Sequence, residues 1–295
     1  MPTFENPKQL GYITAVLSVL LLGSEGVFVR NLSTSSYTIT FARLGLGLLF
    51  LVVFLALKKD LHSLKIPSFS FPMLSSGVCT SLAILCYTNA IKSTTLANAA
   101  FLLYLGPLIA VGLAALLLKE RFHWFNLGLL VLAFVGFLCL LEGKFSFQRA
   151  ESVGYLWGLG SALFYGLYIV LNRKIPMAVP ALTRAFYQFF FGAVIMVPFI
   201  DPLVLNSSAH DWAWLIGIGF FQGFVALTLI IIAVKHLKAI EYGTVSYLEP
   251  LVAAGLGLVL YGEHLSPLQL AGAAIILSGG LLQILSTVKT AAPEG

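Results

Sequence analysis

Ten uninterrupted apolar stretches divide the 295-residue chain. Each is close to the roughly 20 residues an α-helix needs to cross a bilayer. They fall near residues 11–29, 36–57, 70–91, 95–118, 123–141, 153–172, 180–200, 211–233, 241–261 and 267–286. Runs this continuous do not suit a membrane β-barrel, whose strands alternate apolar and polar positions. They do not suit a soluble enzyme either. Apolar residues make up 59% of the chain and charged residues 10%, where soluble domains sit near half and a quarter. The fold class expected is an all-α integral membrane protein. Ser266-Pro267-Leu268-Gln269 marks one boundary well, with an N-cap serine, proline at the first helical position and glutamine at the third. The first apolar run has no A-x-A-like cleavage site and reads as a retained helix.

The net charge is +5, but the basic residues sit in the short gaps, where they set topology rather than bind nucleic acid. With the N-terminus inside, the inner gaps collect Lys8, Lys58, Lys59, Lys65, Lys119, Arg121, Arg173, Lys174, Lys235, Lys238 and Lys289. The outer gaps hold only Arg30, Lys92, Lys144 and Arg149. The positive-inside rule then places both termini in the cytoplasm and favours an even helix count. A multi-pass protein of the inner membrane is expected. Cys79, Cys86 and Cys139 lie within apolar runs, without disulfide or metal-ligand spacing. The five histidines (His62, His123, His210, His236 and His264) fall in loops and read as interfacial.

The chain matches itself at an offset of 143 positions. Gly11-Tyr12 falls on Gly154-Tyr155, Ser18 on Ser161, Gly23 on Gly166 and Arg30 on Arg173. Further along, Lys92 falls on Lys235, Tyr104-Leu105 on Tyr247-Leu248, Pro107 on Pro250, Glu120 on Glu263 and Gly136 on Gly279. Apolar segments aligned by chance would put leucine on leucine, not proline, tyrosine and glutamate in one gapless register. Residues 11–143 and 154–286 thus read as two five-helix repeats. Five is odd, so the second repeat enters the membrane from the opposite side. Inverted repeats are a common plan of secondary transporters, with the substrate site near the midplane where the halves meet.

Leu21–Arg30 (LLGSEGVFVR), Phe41-Ala42-Arg43, Tyr247–Leu251 (YLEPL) and Glu263 followed by Ser266–Gly272 (SPLQLAG) carry a resemblance. The chain resembles the drug/metabolite transporter superfamily, in its ten-helix EamA-like branch. The resemblance implies two inverted five-helix repeats around a central cavity. It implies movement of small metabolites, often amino acids or related compounds and often outward. No cofactor is expected. Family members commonly carry a neutral polar residue where this chain has Glu25.

Charges in a bilayer core are costly and tend to mark function. Glu25, Arg43, Arg184 and Glu249 sit well inside the runs and are expected to face the protein interior. Glu25 shares a helical face with Thr14 and Ser18, and its repeat partner is Tyr168, on the stripe Trp157, Ser161, Tyr165, Tyr168 and Asn172. Both faces read as cavity walls. A carboxyl removed from water makes Glu25 a candidate proton carrier, with Glu249, on a face with Ser246 and Tyr242, as the second. Arg184 shares a face with Gln188. An arginine could clamp a carboxylate or phosphate, or pair with Glu25 or Glu249. Tyr87, Tyr104, Gln222 and Tyr247 complete the expected substrate-binding set. Pro107 and Pro250 are expected to bend helices four and nine, as gating elements or as static shaping. Gly154/Gly158 and Gly219/Gly223 read as close-packing pairs.

The leading expectation is a transporter of a small organic metabolite, with protons as the candidate coupling ion. An importer or exchanger of a nucleotide-like metabolite such as S-adenosylmethionine is the alternative. A membrane enzyme would need a nucleophile, base or metal set near the interface, and no such motif occurs. A sensor would need an output domain that the loops have no room for.

Overall fold

The computed structural model describes residues 7–64, 70–118, 124–142, 150–176, 178–237, 242 and 245–291. Lys65, Lys119, Glu120, Arg121, His123, Lys144, Arg149 and Lys238, used above, lie outside the described residues. Among the described residues every regular element is helical. In chain order these are α1 Pro7–Gly23, α2 Glu25–Arg30, α3 Ser36–Leu57, α4 Phe71–Ser93, α5 Leu96–Leu103, α6 Gly106–Leu118 and α7 Trp124–Leu141. There follow α8 Ala150–Arg173, α9 Ala181–Met196, α10 Ala209–Gly217, α11 Ala226–His236, α12 Glu249–Tyr261 and α13 Pro267–Ala291. A π-helical segment, Ile218–Val225, joins α10 to α11. Among the described residues seven helical stretches are long and apolar enough to cross a membrane: Pro7–Arg30, Ser36–Leu57, Phe71–Ser93, Leu96–Leu118, Ser152–Arg173, Ala181–Phe199 and Ala209–His236. Shorter apolar helices at Val131–Leu140, Glu249–Tyr261 and Pro267–Leu282 lie within the other expected runs.

The side chains are sorted as a bilayer requires. Large apolar residues such as Leu57, Leu116, Trp124 and Val259 point outward, while Thr14, Ser18, Ser76, Ser81, Asn98 and Ser161 are buried. With no water to serve them, the buried hydroxyls must bond within the protein. Ser18 Oγ donates to the Ala15 carbonyl at 2.7 Å and Ser161 Oγ to that of Gly158 at 2.6 Å. Ser81 Oγ reaches across from α4 to the Gly192 carbonyl on α9, at 2.9 Å.

Close approach between helices follows the glycines. Gly11 lies against His236 and Leu237, and Gly154 against Ser93 and Thr94. Gly23 lies against Val252 and the Glu249 carbonyl, and Gly166 against Ile109 and the Gly106 carbonyl. In both sets the partners are themselves 143 positions apart. The expected close-packing glycines do pack: Gly158 on Leu102, Gly219 on Leu46 and Gly223 on Gly47.

Three interruptions shape the interior. The first span breaks at Ser24, between α1 and α2. The chain turns at Tyr104-Leu105 before α6 and at Tyr247-Leu248 before α12. Here the prolines correct the sequence reading. Pro107 and Pro250 do not bend helices at mid-length; each stands in the first turn of a helix that begins one residue earlier. There the missing N–H has no helical partner to lose. At α13 the expected cap is present. Gln269 N–H donates to Ser266 Oγ at 3.1 Å, and Ser266 N–H to Gln269 Oε1 at 3.1 Å.

Candidate functional site

The three interruptions converge on one buried polar cluster. α2 opens with Glu25, 2% exposed, whose carboxylate forms an ion pair with Arg43 of α3. α12 opens with Glu249, 7% exposed. Its Oε2 lies 2.9 Å from the hydroxyl of Tyr104, at the α5–α6 turn, and that hydroxyl also reaches the Ser246 carbonyl at 2.5 Å. A carboxylate in the first turn of a helix is favoured by the helix dipole. Glu249 is within electrostatic reach of both Glu25 and Arg43. Buried Tyr87, on α4, is within reach of the same three charges. Among the described residues no cation pairs directly with Glu249.

Tyrosines surround the carboxylates. The rings of Tyr104 and Tyr247, repeat equivalents in the sequence, meet edge to face with centroids 5.1 Å apart. Tyr165 and Tyr168 of α8 lie nearly parallel at 6.2 Å. Tyr165 is within reach of Glu249, Tyr242 and Tyr247. Tyr242, which the sequence reading placed only as a neighbour of Glu249 on one face, bonds Ser18 and joins the cluster. The Tyr247 hydroxyl is buried without a hydrogen-bond partner among the described residues and packs on Gly280 of α13.

Other expected site residues are held at the margin. Gln222, in the π segment, donates from Nε2 to the Leu21 carbonyl at 2.6 Å and to Ser24 Oγ at 3.2 Å. It thus fastens the break beside Glu25. A π segment inserts an irregular turn and recurs at functional sites. Gln188 Nε2 joins Ser76 Oγ at 3.0 Å and Asn172 Oδ1 at 2.8 Å, tying α4, α8 and α9 together. Arg184 pairs with neither glutamate. Its Nε donates to the Val179 carbonyl at 2.9 Å and its Nη2 to that of Pro176 at 2.8 Å. An arginine one turn into a helix can reach back to the loop before it, and that local bond forms here.

The sequence reading missed a second charged assembly. Arg30, at the end of α2, forms an ion pair with Glu263, in the loop after α12. Its Nη2 donates to the Thr94 carbonyl at 3.0 Å, and its guanidinium lies 4.7 Å from the Tyr261 ring. Glu263 Oε2 in turn accepts the Leu96 N–H at 2.8 Å. Three stretches of chain are clasped at one end of the bundle. The signal in the sequence is that Arg30 and Glu263 both match across the 143-residue offset, with Arg173 and Glu120.

A separate cavity of about 410 Å³ opens between α3 and α10, lined by Thr38, Phe41, Ala42, Leu46, Trp212 and Leu215 among others. Its lining is almost wholly apolar.

Comparison with known proteins adds the following. The model of the EamA-like transporter family matches residues 9–141 and again residues 152–285. An uncharacterized transporter of Archaeoglobus fulgidus is 30% identical over 273 residues, 92% of this chain and 95% of the relative. The pseudopaline exporter CntI of Pseudomonas aeruginosa is 26% identical over 90% of this chain and 93% of its own. The threonine/homoserine exporter RhtA of Escherichia coli is 26% identical over 85% and 82%. A solved crystal structure superposes with a TM-score of 0.65 at 20% identity, over 96% of this chain and 99% of its own. At that identity it speaks for the fold alone.

Proposed function

Because the chain belongs to the EamA-like transporter family, we propose that it is a secondary transporter exporting a small organic metabolite, an amino acid or related compound, across the inner membrane. Membrane transport of small metabolites is the activity its exporter relatives share. The substrate, the direction and the coupling are our reading. The observation that carries it is the meeting of Glu25–Arg43 and Tyr104–Glu249 at the interruptions of three spans. Broken helices that bring charge to bundle depth are how transporters build central sites.

Alternating access is the mechanism we infer. Two inverted five-helix halves, 11–143 and 154–286, rock about the cluster and expose it to one side at a time. The glycine contacts whose partners repeat at the same offset support this duplication. So does the Tyr104–Tyr247 ring contact, since equivalent residues of two halves touch near a pseudo-twofold axis. Glu25 is neutralised by Arg43, so Glu249 is the better candidate to exchange a proton for cargo. Both termini lie in the cytoplasm in this reading, following the bias of Lys and Arg.

The test is flux in proteoliposomes preloaded with labelled amino acids, nucleosides or S-adenosylmethionine, with and without an imposed pH gradient. Efflux of an amino acid that is lost in Glu249→Gln, at equal reconstitution, supports the reading. Efflux unchanged in that variant removes Glu249 from the mechanism. Flux of S-adenosylmethionine alone selects the nucleotide-like alternative, and no flux of any compound refutes the transport of this substrate class.

A further inference from the structure

The cavity between α3 and α10 holds about 410 Å³, within the range of roughly 300–1,000 Å³ that ligand sites occupy. One wall is α3, with Thr38, Phe41, Ala42 and Leu46; the other is Trp212 and Leu215 of α10 and the short 3₁₀ turn Pro202–Asn206 before it. From Thr38 to Leu46 is about 12 Å along a helix axis. Since α3 begins at Ser36 and ends at Leu57, the cavity starts at one end of the span and stops near its middle. That depth is close to one leaflet of a bilayer core about 30 Å thick. Its rim carries interfacial aromatics. The exposed rings of Tyr37 and Phe199 stack with centroids 5.3 Å apart, and Trp214 Nε1 donates to His210 Nε2 at 3.0 Å. The cavity is continuous with the lipid-facing surface. Phe41 lies one turn from exposed Tyr37, Trp212 one turn from exposed Ile216, and Leu203 and Leu205 are exposed on the turn that roofs it.

We propose that this cavity is a binding site for one acyl chain of a bilayer lipid, laid along α3 against Phe41, Ala42 and Leu46. The lining suits nothing polar. Among the described residues no lysine or arginine faces it. Thr38 Oγ1 accepts the Asp201 N–H at 3.0 Å, and Asp201 Oδ1 accepts the Leu203 N–H at 2.9 Å. A charged metabolite would be buried there without partners. Water gains too few hydrogen bonds to stay in an apolar cavity, and an empty cavity forfeits the dispersion contacts of its walls. A hydrocarbon chain restores those contacts and is at hand in the leaflet beside the rim. The site reads the chain and not the headgroup, because no cation lines it and its one carboxylate is already bonded. The proposal does not depend on what the central cluster carries. Each stands if the other fails.

The test uses the full chain purified in a sterol-based detergent, which brings no alkyl chain to compete. The protein is titrated with phosphatidylcholine bearing a diazirine midway along one acyl chain, irradiated, and its adducts located by mass spectrometry. Adducts at Phe41, Leu46 and Trp212 are expected to appear first and to saturate. Those on the exposed face of α7, at Val131 and Phe134, are expected to keep rising with lipid. Phosphatidylglycerol with the same chain is expected to label the walls equally. Val204→Trp fills the cavity from its roof and Ala42→Leu from its floor. Each is expected to weaken labelling about tenfold, the affinity carried by two buried methylenes. Val259→Trp, on the exposed face of α12, leaves it unchanged. Melting temperatures of all variants separate a filled cavity from a misfolded chain. Adducts spread evenly over the exposed faces, labelling undiminished in both filling variants, or labelling by only one headgroup each overturns the proposal. So does labelling of the same walls by a diazirine-bearing phenylalanine that added lipid does not displace, which assigns the cavity to cargo.

Discussion

Replacing Arg43 with glutamine tests the central ion pair most directly. The Glu25 side chain is 3% exposed and that of Arg43 is 13%. Removing the guanidinium leaves a carboxylate sealed in the bundle with no other cation in contact among the described residues. Breaking a buried pair from one side costs about 3–5 kcal/mol. The reverse variant, Glu25→Gln, should cost less. Arg43 has a long flexible stem and can carry its charge toward the boundary, which a glutamate at a helix start cannot do as far. The double variant Glu25→Gln/Arg43→Gln removes both charges and leaves two amides able to bond each other. It should recover most of the loss, because the penalty lies in the orphaned charge and not in the absent pair. The assay is reversible denaturation in mixed micelles for the wild type, both single variants and the double variant, combined as a cycle. A double variant no more stable than Arg43→Gln would refute this reasoning. It would show that the side chains contribute through shape, with their charges already compensated in some other way.

The clasp at Arg30 gives a second prediction. Arg30→Gln and Glu263→Gln should each make cysteines placed along α5 react faster with a membrane-impermeant maleimide added from the Glu263 side. The exchanged pair, Arg30→Glu/Glu263→Arg, should slow the reaction again. Tyr247→Phe should leave the melting temperature unchanged or raised, since the hydroxyl it removes is buried without a partner among the described residues. Gly23→Ala and Gly166→Ala place a methyl against equivalent partners. They should destabilise by similar amounts, about 1–3 kcal/mol each, and a cost confined to one of them would argue against structurally equivalent halves.

The all-helical membrane class, the α13 cap and the burial of the polar groups could be read directly from the residues. Continuous apolar runs leave few alternatives, and Ser266–Gln269 spells out its own helix start. The inward placement of Glu25, Arg43, Glu249 and the α8 tyrosines followed from the cost of exposing polar groups to lipid. The interruptions were hidden because hydropathy is blind to them. Ser24, Tyr104-Leu105 and Tyr247-Leu248 lie within sequence as apolar as the helices around them. Pro107 and Pro250 flagged the right places, but a proline that bends a helix and one that starts a helix look alike on paper. The two arginines show the same limit. Equivalent depth suggested equivalent partners; Arg43 found a carboxylate across the bundle, while Arg184 found carbonyls in its own preceding loop. Helical-face spacing ranks what is near on one element. It says nothing about competition from another.

The first span is broken at Ser24, whereas α8, which aligns with it, runs unbroken from Ala150 to Arg173. One arm of the molecule is jointed and the other is a strut. Two identical arms would make the two ends of the transport cycle equal in free energy, and their occupancies would follow only the gradients outside. A jointed arm paired with a strut removes that degeneracy. In the alternating-access cycle proposed above, the chain would carry its own standing preference for one end, held in the backbone and present before any cargo or ion arrives.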